Sequence, residues 1–229
     1  MGLAAAGRRK HGPVQPALFA GVRGAGIAVG TAVAIGSAPI WAGLLQALFD
    51  SHRPSGRWWL GTLVAVAGGV LLVSPVGPSA LVSVGHALLC LLAGLAYAAY
   101  AMLNKRLVGG PASPLQVSTG VFSIAALLAA PVAWWLVGWP VPGSIAWPVL
   151  IYLGVVATGV SYLLFASGQR LISAATAVTL TLAEPVTAFV LATLLVGEAV
   201  PALAWPALVF LLTGMHLVLR EEVGQARGS

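Results

Sequence analysis

The sequence predicts an all-α membrane protein, a polytopic helical bundle with inverted repeats, on three observations: its composition, the length of its apolar runs, and the placement of its basic residues. Of 229 residues, 59% are hydrophobic and 7% charged, with a mean hydropathy of +0.99. Soluble domains carry roughly 25% charged residues. Seven runs are long enough to cross a hydrocarbon core ~30 Å thick, which takes about 20 helical residues. They lie near 26–49, 57–74, 83–104, 115–137, 145–168, 173–196 and 201–220. An eighth apolar piece, "VQPALFAGV" at 14–22, is too short to span and reads as the end of a helix. Arg23 follows it where the small-residue cleavage site of a signal peptide would begin, which argues against a removable leader.

Basic residues cluster at alternate ends of these runs. Arg53 and Arg57, Lys105 and Arg106, Arg170, and Arg220 and Arg227 all fall on one side, and Arg23 is the exception. The opposite loops, 74–82, 137–144 and 196–201, contain no Lys or Arg. The positive-inside rule then puts the basic side and the C-terminus in the cytoplasm, for a protein integral to the cytoplasmic (plasma) membrane. Trp58 and Trp59 on the inner side, and Trp134, Trp135, Trp139 and Trp147 on the outer side, are expected as interface anchors. The net charge of +6 forms no basic stripe with interleaved aromatics, so no nucleic-acid partner is expected.

The chain repeats itself. "TAVAIGSAPIWAGLLQALF" at 31–49 matches "TAVTLTLAEPVTAFVLATLL" at 176–195 when Glu184 is taken as one residue inserted before the proline. Pro39 and Pro185, Trp59 and Trp205, and Gly68 and Gly214 share a single offset of 146 residues. The charge rule runs the two copies in opposite directions, and inverted repeats are a transporter signature, with the substrate site near mid-depth where Pro or Gly interrupts helices. Pro39 and Pro185 are therefore the expected helix breaks.

These segments, with "RWWLGTLVAVAGGVLLV" after the first copy, "LAEP" and "LLVGE" in the second and "ALVFLLTGMHLVL" after it, resemble the fourth-fifth and ninth-tenth helices of EamA-type proteins in the drug/metabolite transporter superfamily. The resemblance implies ten helices in two inverted five-helix repeats and export or import of small metabolites such as amino acids. It maps 1–13 to a cytoplasmic N-terminal segment, 14–74 to an incomplete first repeat lacking helices one, two and most of three, 83–220 to a complete second repeat, and 221–229 to a cytoplasmic tail. The first copy reads "LFDSHRP" where the family usually carries the "GE" that the second keeps at Gly197 and Glu198.

The expected function is secondary transport, as a probable exporter, of small metabolites or amino-acid-like compounds by alternating access. The alternative is a truncated, non-transporting membrane protein or a subunit needing a partner chain to complete the cavity. Expected partners are a small-molecule substrate, the lipid bilayer, and a second copy or other membrane chain. The G-x-x-x-G spacing of "GIAVG" at 26–30 is weak support for a dimer.

Glu184 is the one acid deep within a long apolar run. A carboxylate at a helix centre costs about 2.5–3.5 kcal/mol on the insertion scale, so a role is expected. Two compete: a polar contact in the substrate pathway, or satisfaction of the Thr181 carbonyl that Pro185 cannot reach. At 100° per residue, Thr176, Thr179, Ala183 and Thr187 lie within about 80° of one another, with Glu184 about 60° beyond. That small polar face reads first as a packing seam and second as cavity lining. Candidate pathway residues are Glu184, Thr181, Thr187, Tyr97, Thr158, Ser161 and Tyr162; Thr158, Ser161 and Tyr162 share one side of their helix and Tyr97 is deeper than Tyr100. Four scattered histidines and a single cysteine, Cys90, offer no metal site. Phosphate-binding and hydrolase motifs are absent, so neither an enzyme nor a cofactor is expected.

Overall fold

The computed structural model describes residues 27–50, 53–73, 84–137, 146–196 and 201–228. The apolar piece at 14–22, the segment 1–13, Arg23, Gly26 and most of the loops read as basic-poor lie outside them. Among the described residues every ordered segment is helical: α1 (Ile27–Phe49), α2 (Gly56–Val73), α3 (Val84–Val108), α4 (Pro114–Val137), α5 (Ala146–Ile151) and α6 (Ser161–Gly168), α7 (Ala174–Leu180) and α8 (Ala183–Leu191), and α9 (Ala204–Gly228). A π-helical stretch, Tyr152–Val160, joins α5 to α6 in one rod, and a second, Ala192–Val196, extends α8. Rods therefore stand at all seven expected places, and four stretches are long and apolar enough to cross a membrane: Ala87–Val108, Pro114–Trp135, Trp147–Gly168 and Ala174–Leu195.

Serines start three of the helices. Trp58 donates its N–H to Ser55 Oγ (3.1 Å) and Thr176 to Ser173 Oγ (3.2 Å). At Ser113 the cap is reciprocal: the Gln116 N–H donates to Ser113 Oγ and the Ser113 N–H to Gln116 Oε1, with Pro114 at the first helical position, where its missing N–H costs nothing. Two helices outrun the sequence expectation. α3 continues to Val108, with Lys105 and Arg106 in its last turn beside the carbonyl end of the helix dipole, before Gly109 and Gly110 stop it. α9 passes Arg220 into the expected tail and reaches Gly228.

The core is made of small residues. Ala38, Ala42, Ala98, Ala101, Ala175, Val178, Val218 and Trp58 form one buried cluster, with Trp41, Tyr97 and Phe165 packed against it. In lipid, hydrophobicity does not drive helix pairing, so close backbone approach must. The closest approach joins α2 to α9 through the two glycines of the repeat. A Cβ on Gly68 would strike the Leu211 backbone and lie 2.7 Å from the Ala207 carbonyl; a Cβ on Gly214 would strike the Ala65 backbone and crowd the Gly61 carbonyl. Gly61, Ala65 and Gly68 stand 146 residues before Ala207, Leu211 and Gly214, so the crossing is related to itself by the repeat. The tryptophans obey the same relation: Trp59 lies over Gly43 of α1, and Trp205 meets Phe189 edge-on at 5.5 Å, Phe189 being 146 residues after Gly43.

Gly214→Val forces two backbones apart and should cost about 3 kcal/mol, at the upper end of overpacking effects. The measure is the thermal unfolding midpoint in detergent, with Gly120→Ala, around which nothing lies within 4 Å, expected to leave it unchanged.

Candidate functional site

Pro185 shapes the sixth rod. Its nitrogen has no hydrogen to offer the Thr181 carbonyl, and the rod breaks at Thr181–Leu182 between α7 and α8. The ladder is carried across by tighter bonds: Thr181 N–H to the Val178 carbonyl (3.2 Å), Leu182 N–H to Thr179 (3.1 Å), and Glu184 N–H to Thr181 (2.9 Å). Thus the backbone of Glu184, and not its carboxyl, satisfies Thr181. The side chain is released, and Glu184 is exposed where an apolar run predicted a buried acid. Pro39 is different. It lies inside the continuous α1, so it makes no break there. The extra residue in the second copy explains the contrast, because one insertion turns a helical face by 100° and the tight turn at Thr181–Leu182 absorbs it.

A cavity of about 660 Å³ opens beside this break, within the 300–1,000 Å³ range of small-molecule sites. Its walls come from α1 (Ala34, Ile35, Ala38), the middle of α3 (Ala93, Gly94, Tyr97), the fifth rod (Ala157, Ser161, Tyr162) and the break itself (Leu180, Thr181, Ala183, Glu184, Thr187). Ile35 and Thr181, each four residues before a repeat proline, both line it. Gly94 lets α3 come close enough to α1 that a Cβ there would collide with the Ser37 hydroxyl and lie 2.9 Å from the Ala34 carbonyl.

Six of the seven candidate pathway residues meet at this cavity. Thr158 does not border it; its hydroxyl donates to the Leu153 carbonyl (2.8 Å) five residues back. Thr158 lies in the π-helical stretch, whose turn is wider than the 3.6 residues assumed in counting faces. The threonine face of the sixth rod splits at the break. Thr176 and Thr179 are fully buried packing residues, Thr179 donating to the Ala175 carbonyl, whereas Thr181 and Thr187 border the cavity. Tyr97, Tyr100, Tyr162, Phe165 and Phe122 form a continuous aromatic cluster, with centroids 4.8 Å apart for Phe122–Tyr162 and 5.9 Å for Tyr100–Tyr162.

At the basic end the helix termini are tied together by polar groups that the sequence reading passed over. Glu222 of α9 accepts from the Ser173 N–H (2.6 Å), the Ser173 hydroxyl (2.9 Å) and the Thr176 hydroxyl, which itself accepts from the Trp58 indole N–H (3.0 Å). Gln46 Oε1 accepts from the Ala175 N–H, Gln169 bridges Asn104 and the Ala101 carbonyl, and Arg106 reaches the Phe49 carbonyl. Trp58, expected at the lipid interface, is 3% exposed because its N–H has this buried acceptor. The signal available in the sequence was the placement of Gln46, Asn104 and Gln169, lone amides near the ends of apolar runs.

The EamA-like transporter family matches residues 85–220. The chain belongs to that family. A Bacillus subtilis (strain 168) protein, the uncharacterized transporter YwfM, is 37% identical over 206 residues, 89% of this chain and 68% of its own length. The uncharacterized protein PA1977 of Pseudomonas aeruginosa is 32% identical over 80% of this chain and 62% of its own length. A solved crystal structure superposes with a TM-score of 0.73 over 90% of this chain and 71% of that one; at 19% identity it speaks for the fold alone. EamA membership and the apolar helices make this an integral membrane protein of a transporter family, which points away from enzymatic function.

Removing the acceptor at the basic end should loosen it. Glu222→Ala leaves three donors unmatched and is expected to destabilise the protein by about 2 kcal/mol, the scale of a hydrogen bond to a charged group. Trp58→Phe should cost less, and in the double variant part of the two losses should overlap, because both act through Thr176; unfolding midpoints in detergent decide this.

Proposed function

We propose that the chain is a secondary transporter that carries a small metabolite across the cytoplasmic membrane by alternating access, in the outward direction, with its basic helix ends and C-terminus in the cytoplasm. The carrying observation is the cavity itself. It lies at mid-depth between the repeat-related helix α1 and the sixth rod, beside a proline break, where inverted-repeat transporters place substrate. The polar network tying α1, α2, α3, α7 and α9 at the basic end supports a state in which that end is shut. The positive-inside rule supports the orientation. Amino-acid-like compounds fall within the size range, and a second copy or a partner membrane chain is the expected company of the chain in the bilayer.

Transport is tested in proteoliposomes loaded with a mixture of amino acids and small amines, with protein-dependent efflux of each followed by mass spectrometry. At least one component should leave faster than from protein-free vesicles. Ser161→Trp, which fills the cavity, should lower that flux about 10-fold or more, equivalent to about 1.4 kcal/mol in the barrier, with the unfolding midpoint retained. Efflux equal to that of protein-free vesicles for every component rejects the transport reading.

A further inference from the structure

We infer that the cavity selects organic cations, with Glu184 as counter-ion to a substrate ammonium and Tyr97 and Tyr162 as the aromatic surfaces beside it. The inference rests on the transport reading for its site and narrows the substrate class.

Charge carries the argument. Among the described residues lining the cavity, Glu184 is the one charged side chain, with no Lys, Arg, His or Asp beside it. The carboxylate is exposed to that space, and its own backbone N–H, not its oxygens, completes the hydrogen bonding at the break. A cleft lined by one sign of charge with apolar walls raises the local concentration of the opposite sign. A substrate carboxylate would enter this space with no cation among the described wall residues to pair with and would face Glu184, and an unpaired charge in apolar surroundings is strongly disfavoured.

The rest of the wall suits an ammonium group on an apolar body. Tyr97 and Tyr162 border the cavity and belong to the aromatic cluster, and cations are attracted to the faces of such rings. Thr187 and Ser161 border the same space, but their hydroxyls donate to the Ala183 and Val156 carbonyls. Their oxygens therefore present lone pairs, the polarity that an ammonium N–H requires. Ala34, Ala38, Ala93, Ala157 and Ala183 leave room for an apolar body.

The test uses three compounds of one size and different charge: 2-phenylethylamine, L-phenylalanine and 3-phenylpropanoate, titrated at neutral pH into the detergent-purified full chain by calorimetry. The amine should bind, the zwitterion about tenfold more weakly or worse, and the anion not at all. Glu184→Gln should weaken amine binding at least about tenfold while Glu184→Asp keeps most of it, and Tyr162→Leu should weaken it more than Tyr162→Phe. Equal binding of amine and anion, no binding of the amine, or an unaffected Glu184→Gln variant overturns the inference. The two readings fail separately: amine binding without efflux rejects transport alone, and efflux confined to anions rejects cation selection alone.

Discussion

Close contact of two backbones at Gly68 and Gly214 is the constraint on which the rest of the bundle depends. Lipid tails are as apolar as the helices, so nothing like the hydrophobic effect of water gathers the rods, and packing at short range must do so. Glycine permits it at one crossing, and the repeat places a glycine on each partner. Because Gly68 meets Ala207 and Leu211 while Gly214 meets Gly61 and Ala65, each half of the chain supplies the groove that the other half fills. An ancestral contact duplicated in inverted orientation has this form, and it holds α2 and α9 together.

Against that symmetry, one inserted residue accompanies a structural difference between the halves. α1 passes Pro39 without interruption, whereas the sixth rod breaks four residues before Pro185 and repairs its hydrogen bonding with short turns. The repair uses the Glu184 N–H. A backbone group thus does the structural work, and the carboxylate is left facing the cavity. The structural role expected of the Glu184 carboxyl falls to its main chain.

The basic end works on different chemistry. There the helices meet near water, and polar side chains replace glycines: Glu222, Thr176 and Trp58 in one chain of bonds, with Asn104 and Gln169 in another. Polar bonds of this kind can exchange for water with little loss, since a protein hydrogen bond nets only about 1 kcal/mol over one to solvent. The glycine crossing has no such substitute. The bundle is thus fastened by packing at the glycine crossing and by polar bonds at the basic end.

Much of this was legible in the linear sequence. Run lengths located all seven rods, the spacing of sparse residues exposed the inverted repeat, and a proline beside a lone acid marked the place where the sixth rod breaks. These signals are local or periodic: bilayer thickness dictates run length, and a missing N–H disturbs a helix wherever it occurs. Other features depended on what each side chain meets. The Thr158 hydroxyl turns to the Leu153 carbonyl, Trp58 is drawn inward by Thr176, 118 residues away, and Glu222 leaves the expected tail to cap another helix. Sequence by itself determined the membrane bundle, its repeat and the break at Thr181–Leu182, because those follow from hydrophobic length and backbone chemistry. Tertiary structure decided which polar groups pair and which face the cavity, because pairing is settled by contacts between helices remote in the chain.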